Sequence, residues 1–267
     1  MDINKISTAL ENMLNKYEIP ETKIIGGNEG SLIIEHKGKK FIFSLCDRNF
    51  PNKPEGTPVP LYFWRANRRL NEMKNVLLTG NVKDVVGMRA RAITPRDGFW
   101  NVDRLIVMVV DLVKFFFDEK IVTVFSTKMD NNYLNAIFCT EKGIRISAEI
   151  GEIPQGSIPS FMFEIIGRNG VVTNLPVDAQ VSQHSIYVSG DGNVKTYTDT
   201  DFELFGLSQP EIDCVRFIMS VCSGKDSFEA LQKDKSYIND VVIAIINSGE
   251  HEEKVKVTFS EGGNKNA

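Results

Sequence analysis

Histidine is almost missing from this chain. His36, His184 and His251 are the 3 among 267 residues, and they stand too far apart to cluster as zinc ligands. Cysteine is nearly as sparse. Cys46, Cys139, Cys214 and Cys222 form no CxxC pair, and their apolar or strand-like surroundings predict free thiols in a reducing compartment. Basic charge is not in excess either: 31 Lys and Arg against 35 Asp and Glu give a net charge of −4. That balance excludes a nucleic-acid backbone as the main partner, because little positive charge is left to displace counterions; the local run Arg65, Arg68 and Arg69 does not change it. The longest apolar stretch, Leu105 to Phe117, is 13 residues and carries Asp111 and Lys114. A membrane helix needs roughly 20 apolar residues, so the stretch predicts a helix buried in a protein core. The first residues lack the layout of a signal peptide. These absences describe a cytoplasmic protein with no membrane and no nucleic acid among its partners.

What is present is an ordinary globular composition, 42% hydrophobic and 25% charged. Ile6, Leu10, Met13 and Leu14 share one face of a helix expected over about residues 3–17. Pro20 and Gly26-Gly27-Asn28 then break the chain, and residues 31–35 and 39–45 read as a hairpin turning at Lys37-Gly38. Four prolines between Asn49 and Pro60 mark a linker. The expected domains are a small helix-and-hairpin segment with linker at 1–58, a sheet domain at 59–259 and a disordered tail at 260–267. Within the sheet domain the pattern predicts a strand at 59–64 and a helix at 66–78 closed by Gly80. Then come a strand at 82–93, the apolar helix at 102–117 and strands near 121–127, 133–140, 144–150, 161–166, 171–175 and 184–188. Two helices, near 209–222 and 227–247, precede a last strand at 254–259. This order predicts an α+β fold: an open, mostly antiparallel sheet with helices on one face. Phe125, Phe138, Phe161, Phe163 and Ile165 predict more apolar sheet than those helices cover, and therefore a partner.

Residues 59–259, roughly 200 of 267, resemble the family named for glucose-fructose oxidoreductase, inositol dehydrogenase and MocA. Tyr62-Phe63-Trp64-Arg65 followed by a helix and Leu78-Thr79-Gly80-Asn81-Val82 looks like the family's crossing from cofactor half to sheet half. Val102 to Phe117 with Asp111 looks like its central helix. Glu211 to Phe217, Cys222-Ser223-Gly224-Lys225, Tyr237 to Ser248 and Lys254 to Val257 look like its terminal helix pair and closing strand. The resemblance implies a two-domain NAD(P)-dependent sugar oxidoreductase, of which this chain matches the sheet domain, often an oligomerisation module. Family members carry Asp-x-x-x-His on the central helix with a further Asp three residues on. Aligned on Asp111, the histidine position falls on Met108 and the first aspartate position on Arg104. Neither accepts a proton at neutral pH, and Asp103 lies about 100° round the helix from Arg104. The retained Asp111 reads as a helix-buried carboxylate with a structural partner.

A dinucleotide site needs a strand, a glycine-rich turn and a helix N-terminus. The one glycine-rich turn among the 60 or so residues ahead of the crossing, Gly26 to Gly30, leads into a strand. No cofactor is therefore expected, and no catalytic, cofactor-binding or metal residue is assigned. His184, in an alternating strand, and His36 read as sheet-face or solvent histidines rather than a replacement base. The leading expectation is a non-catalytic binding or assembly subunit, paired through its sheet with itself or with an intact oxidoreductase of the same family. The alternatives are an NAD(P)-dependent sugar oxidoreductase whose site a partner chain completes, and a binding protein for a sugar or small acid, with Arg104 favouring an anion.

Overall fold

The computed structural model describes residues 1–28, 31–44, 55–96, 99–130, 132–157, 159–175, 186–190, 193–197 and 202–260. In chain order the elements begin with α1 (Ile3–Lys16), β1 (Thr22–Asn28), β2 (Ser31–His36), β3 (Lys39–Ser44), β4 (Thr57–Val59), a 3-10 turn (Phe63–Ala66) and α2 (Arg68–Leu78). They continue with β5 (Val85–Pro95), α3 (Val102–Phe117), β6 (Ile121–Asp130), β7 (Tyr133–Thr140), β8 (Arg145–Ile153), β9 (Ser160–Gly167) and β10 (Gly170–Thr173). The last are β11 (Ile186–Gly190), β12 (Asn193–Tyr197), α4 (Gln209–Cys222), α5 (Phe228–His251) and β13 (Val255–Lys256). Two units result: residues 1–67 with 176–231, and residues 68–175 with 232–267. The sequence boundary at 58/59 thus lies inside the first unit, which also takes in a later stretch of chain.

In the first unit β1, β2, β3 and β4 form a sheet in that order, with only β3 and β4 parallel. The apolar stripe of α1 buries Ile6, Leu10, Met13 and Leu14, as its spacing requires. Glycines 26 and 27, expected to break the chain, instead lie within the edge strand β1, where the register slips between Ile24 and Gly26. Beyond the bulge at Ile25, a Cβ on Gly27 would stand 2.8 Å from the Ser31 carbonyl oxygen, so glycine is needed at that position. Of the strand expected at 59–64 only Val59 is in a strand, the end of β4 (Thr57–Val59). Tyr62, Phe63 and Trp64 leave it for the 3-10 turn, where all three are buried and the turn packs on α4. Burying three adjacent aromatics requires a tight turn, since a strand would send alternate rings to opposite faces.

Helix α4 opens with a capping box. The Glu211 carboxylate accepts from the Ser208 backbone N–H at 2.8 Å and from the Asp2 N–H at 2.7 Å. Burial pushes this carboxyl up, but the hydrogen bonds from Asp2 and Ser208 outweigh it and hold Glu211 below the ordinary value. One side chain so caps α4 and ties the start of α1 to it.

The second unit carries a seven-stranded sheet in the order β10-β9-β5-β8-β7-β6-β13. Only β5 and β8 run parallel; the other neighbours are antiparallel. The expected α+β fold with an open, mostly antiparallel sheet is what the chain forms. Helix α3 packs on β5 and β8. Helix α5 is pinned to β6 by buried hydrogen bonds: Ser126 N–H to the Ser248 hydroxyl (2.9 Å), Ser126 hydroxyl to the Ile245 carbonyl (2.7 Å) and Ile121 N–H to the Tyr237 hydroxyl (2.9 Å). Met88, Ala90, Ala92, Leu134, Ala136, Phe138, Ile146, Ala148, Ile150, Phe163 and Ile165 fill the buried face, every second residue of each strand.

This alternation corrects one expectation. Phe138, Phe163 and Ile165 belong to the buried face, and Phe161 lies on that side too, its ring 5.1 Å from Trp100. Of the five apolar residues expected to demand a partner, Phe125 alone faces the other way. The closing strand is also shorter than 254–259, with only Val255 and Lys256 paired to β6. Residues 49–54 of the expected linker, together with Cys46, His184 and residues 261–267, lie outside the described residues, while residues 57–59 of that linker form strand β4 on β3.

Candidate functional site

Helix α3 is the element to test, because an enzyme of the resembled family would keep its acid and base there. Its start is held from two sides. Asn101 is the N-cap, its side chain accepting the Arg104 N–H at 2.8 Å. The Glu152 carboxylate of β8 accepts the Val102 N–H at 3.0 Å and pairs with Arg96 at 3.3 Å. A carboxylate and an N-cap at this end meet the helix dipole with the favoured sign. At the other end Asp118 closes the helix in a left-handed conformation, φ 49°, and pairs with Lys114 at 3.0 Å.

Arg104 does not reach outward as an anion receptor. Its guanidinium donates to the Phe99 carbonyl at 3.0 Å and lies 4.5 Å above the Phe99 ring. Hydrogen bond and cation–π contact together commit it to the loop leading into its own helix. Phe99 in turn meets Trp100 edge-on at 5.2 Å. Met108 is buried, 3% exposed, and Asp111 is wholly buried. Their neighbours Leu105, Ile106, Val109, Val110, Leu112, Val113 and Phe116 are buried as well, so the helix is apolar nearly all round, the signature of a core element. A buried thioether stands at the position to which the resemblance assigns a histidine.

The histidines lie elsewhere. His36 is directly opposite Thr22 across β1 and β2, its Nδ1 2.7 Å from the Thr22 hydroxyl. Partial burial, then the nearby Lys37, pull its pKa below the ordinary value. It is a cross-strand pair in the first unit. His251 ends α5 in solvent. Among the described residues no three His, Cys, Asp or Glu side chains come together as a metal site. Burial alone pushes the Cys222 thiol up to about 12, so it is inert as a nucleophile near neutral pH.

The described glycine-rich turn does not form a cradle for a dinucleotide. The glycines at 26 and 27 sit in an edge strand that turns back antiparallel into β2, with no helix N-terminus after them. The helices α1 and α4 already hold carboxylates at their N-termini: Asp2 accepts the N–H groups of Asn4 and Lys5 (3.0 and 3.3 Å), and Glu211 sits in the first turn of α4. A pyrophosphate would meet negative charge at both.

The sequence reading missed a different feature. The sheet face turned away from α3 carries Phe125, Ile137, Ser147, Arg89 and Glu164 in one register row, with Cys139, Arg145, Gly87, Ile166 and Val171 on one side of it. On the other side lie Asn135, Glu149, Arg91 and Met162. Ile137 is 53% exposed and Val171 54%. Two ion pairs cross it, Arg89 to Glu164 at 3.0 Å and Arg91 to Glu149 at 3.3 Å. The signal was legible in the alternation Gly87-Met88-Arg89-Ala90-Arg91-Ala92, which puts arginines on one face and apolar residues on the other.

This fold is shared with inositol dehydrogenases. A scyllo-inositol dehydrogenase from Lactobacillus casei, solved with NAD(H) and scyllo-inositol, superposes over 73% of this chain and 63% of its own, with 16% identity and a TM-score of 0.53. A myo-inositol dehydrogenase from the same organism, in complex with NAD(H) and myo-inositol, matches over 79% and 65%, with 16% identity and a TM-score of 0.56. A probable dehydrogenase from Thermotoga maritima matches over 73% and 64%, at 12% identity and a TM-score of 0.54. No protein-family model and no curated protein sequence matches the chain. The resemblance read from the sequence therefore holds at the level of the fold, and the chain spans a little under two thirds of the length of these dehydrogenases. No described helix is long and apolar enough to cross a membrane.

Proposed function

We propose that this chain is a non-catalytic binding or assembly subunit built on the fold of a sugar oxidoreductase, working through the open face of its seven-stranded sheet. One observation carries the reading: Met108, buried at 3% exposure, stands at the position the resemblance assigns to the proton-accepting histidine. Hydride removal from a sugar alcohol needs a group that takes the hydroxyl proton, and a thioether does not. Arg104, bound to Phe99, supports the same reading and argues against an anion-binding role for that side chain. The observation beside it is a sheet face on which Ile137 and Val171 are exposed, a pattern of surface that associates. The partner is a second copy or an intact oxidoreductase of the same fold, in the cytoplasm.

Cys139 reports on this face, because it lies half-buried in the register between Thr123 and Arg145, while Cys214 and Cys222 are buried. In a Cys46→Ser background, maleimide should label Cys139 quickly in dilute protein. Labelling should slow as the protein is concentrated or as a related oxidoreductase is added. A rate that ignores both would count against an interface here.

A further inference from the structure

Helix α5 has a finished inner face and an unfinished outer one. Inside, Tyr237, Val241, Ala244, Ile245 and Ser248 are buried, and the helix is bonded to β6 through Tyr237, Ile245 and Ser248. Outside, Asn239, Ile243, Ile246 and Glu250 are exposed. Their spacing of four, three and four residues lines them up as one stripe, the seam spacing of a coiled coil. Ile243 is 56% exposed and Ile246 36%, so two large aliphatic side chains stand side by side in water on a helix that already has its core. The stripe shares no residue with the open sheet face.

The spacing reads the same in both directions about the point between Ile243 and Ile246. A helix with that property fits a second copy of itself run antiparallel about a two-fold axis, an isologous contact. Ile243 and Ile246 of the two copies then form a core of four isoleucines at the axis. Asn239 stands opposite Glu250 of the second copy, twice by symmetry, and its amide donates to the carboxylate. The helices overlap over residues 238–251, about 21 Å at 1.5 Å per residue. Lys235 falls just past the overlap, beside the C-terminal end of the other helix. The dipole favours a cation there, and residues 250–254 carry three glutamates to one lysine. A parallel copy in register would instead set Glu250 on Glu250 and Lys235 on Lys235, which repel.

We infer that α5 is a second interaction surface of this chain and takes α5 of another copy, antiparallel, with reciprocal Asn239–Glu250 contacts flanking an isoleucine core. Only the centre of the seam is apolar, so the contact belongs to the small class of interfaces and forms in proportion to concentration. It goes beyond the assembly role assigned to the open sheet face, and the two stand or fall separately.

Cysteine cross-linking of the full chain tests the register, in a Cys46→Ser, Cys139→Ser background. Asn239→Cys and Glu250→Cys proteins, mixed under mild oxidation, should give a mixed disulfide. Neither should link to itself, because each position lies about 16 Å along the helix axis from its own equivalent. Ile246→Cys should link to itself, its equivalents being about 4.5 Å apart along that axis. Adding Ile243→Glu, at an exposed position, should cut the Ile246→Cys cross-link at least about tenfold, since carboxylates then enter the isoleucine core. Self-linking of Asn239→Cys or Glu250→Cys as strong as the mixed product overturns the antiparallel register. No cross-link at any position, or one indifferent to Ile243→Glu, overturns α5 as an interface. Maleimide labelling of Cys139 reads the sheet face independently: shielding there without cross-links on α5 leaves only the sheet-face role, and cross-links without shielding leave only the α5 contact.

Discussion

Changing Met108 to histidine should destabilise the protein and create no dehydrogenase. The side chain is 3% exposed, on a helix whose neighbouring positions are aliphatic and buried. An imidazole there loses the packing of the thioether and brings a polar ring into an apolar site, at a cost of about 2–4 kcal/mol when neutral. Desolvation disfavours the charged form, so the folded-state pKa of the new histidine falls below its unfolded value of about 6.5. The unfolded state then binds the extra proton. Stability is retained above pH 6.5 and lost as pH falls through that value, by about 1.4 kcal/mol for each unit of depression. Urea unfolding at pH 8 and pH 5 should show the variant weaker at both and disproportionately weaker at pH 5. A variant that stays stable at pH 5 and oxidises an inositol with NAD would show the site to be open and competent.

Alanine substitutions on the two faces of the sheet should separate sharply. Phe138 is wholly buried on the helix-covered face, paired in register with Val124. Phe138→Ala leaves a cavity in the core and should cost about 3–5 kcal/mol. Phe125, half-buried on the opposite face and in register with Ile137, should cost about 1 kcal/mol when changed to alanine, and its loss should register in self-association instead. Thermal unfolding in parallel with sedimentation reads both. Equal destabilisation by the two changes would mean that the second face is covered within the chain.

Much of this was legible in the residues alone. The core helix 102–117 was visible because thirteen nearly uncharged positions can only be buried, and its bounds are those expected. The period of two in β5 and β8 was visible too, but reading single phenylalanines in place of that period put Phe138, Phe161, Phe163 and Ile165 on the wrong face. The β1 strand was hidden by its glycines, because a bulged edge strand tolerates what a central strand does not. The aromatic turn at Tyr62–Trp64 was hidden as well, since three consecutive rings satisfy a strand template locally and only tertiary burial forces the 3-10 geometry. At the candidate site the substitutions Arg104 and Met108 were plain in the sequence. The contact that disposes of Arg104, its stacking on Phe99, depends on a loop conformation that no periodicity encodes. The charge rows of the open face depend on strand order, which spacing along the chain does not specify.

On α3 the two positions where the resemblance places the acid and the base hold Arg104 and Met108, and the described glycine-rich turn forms no dinucleotide cradle. Isothermal titration of the pure chain with NAD, NADH, NADP and NADPH tests the consequence most directly. No saturable heat is expected with any of the four up to millimolar concentration. Stoichiometric binding of one of them, followed by its reduction or oxidation when an inositol or its ketone is added, would contradict it.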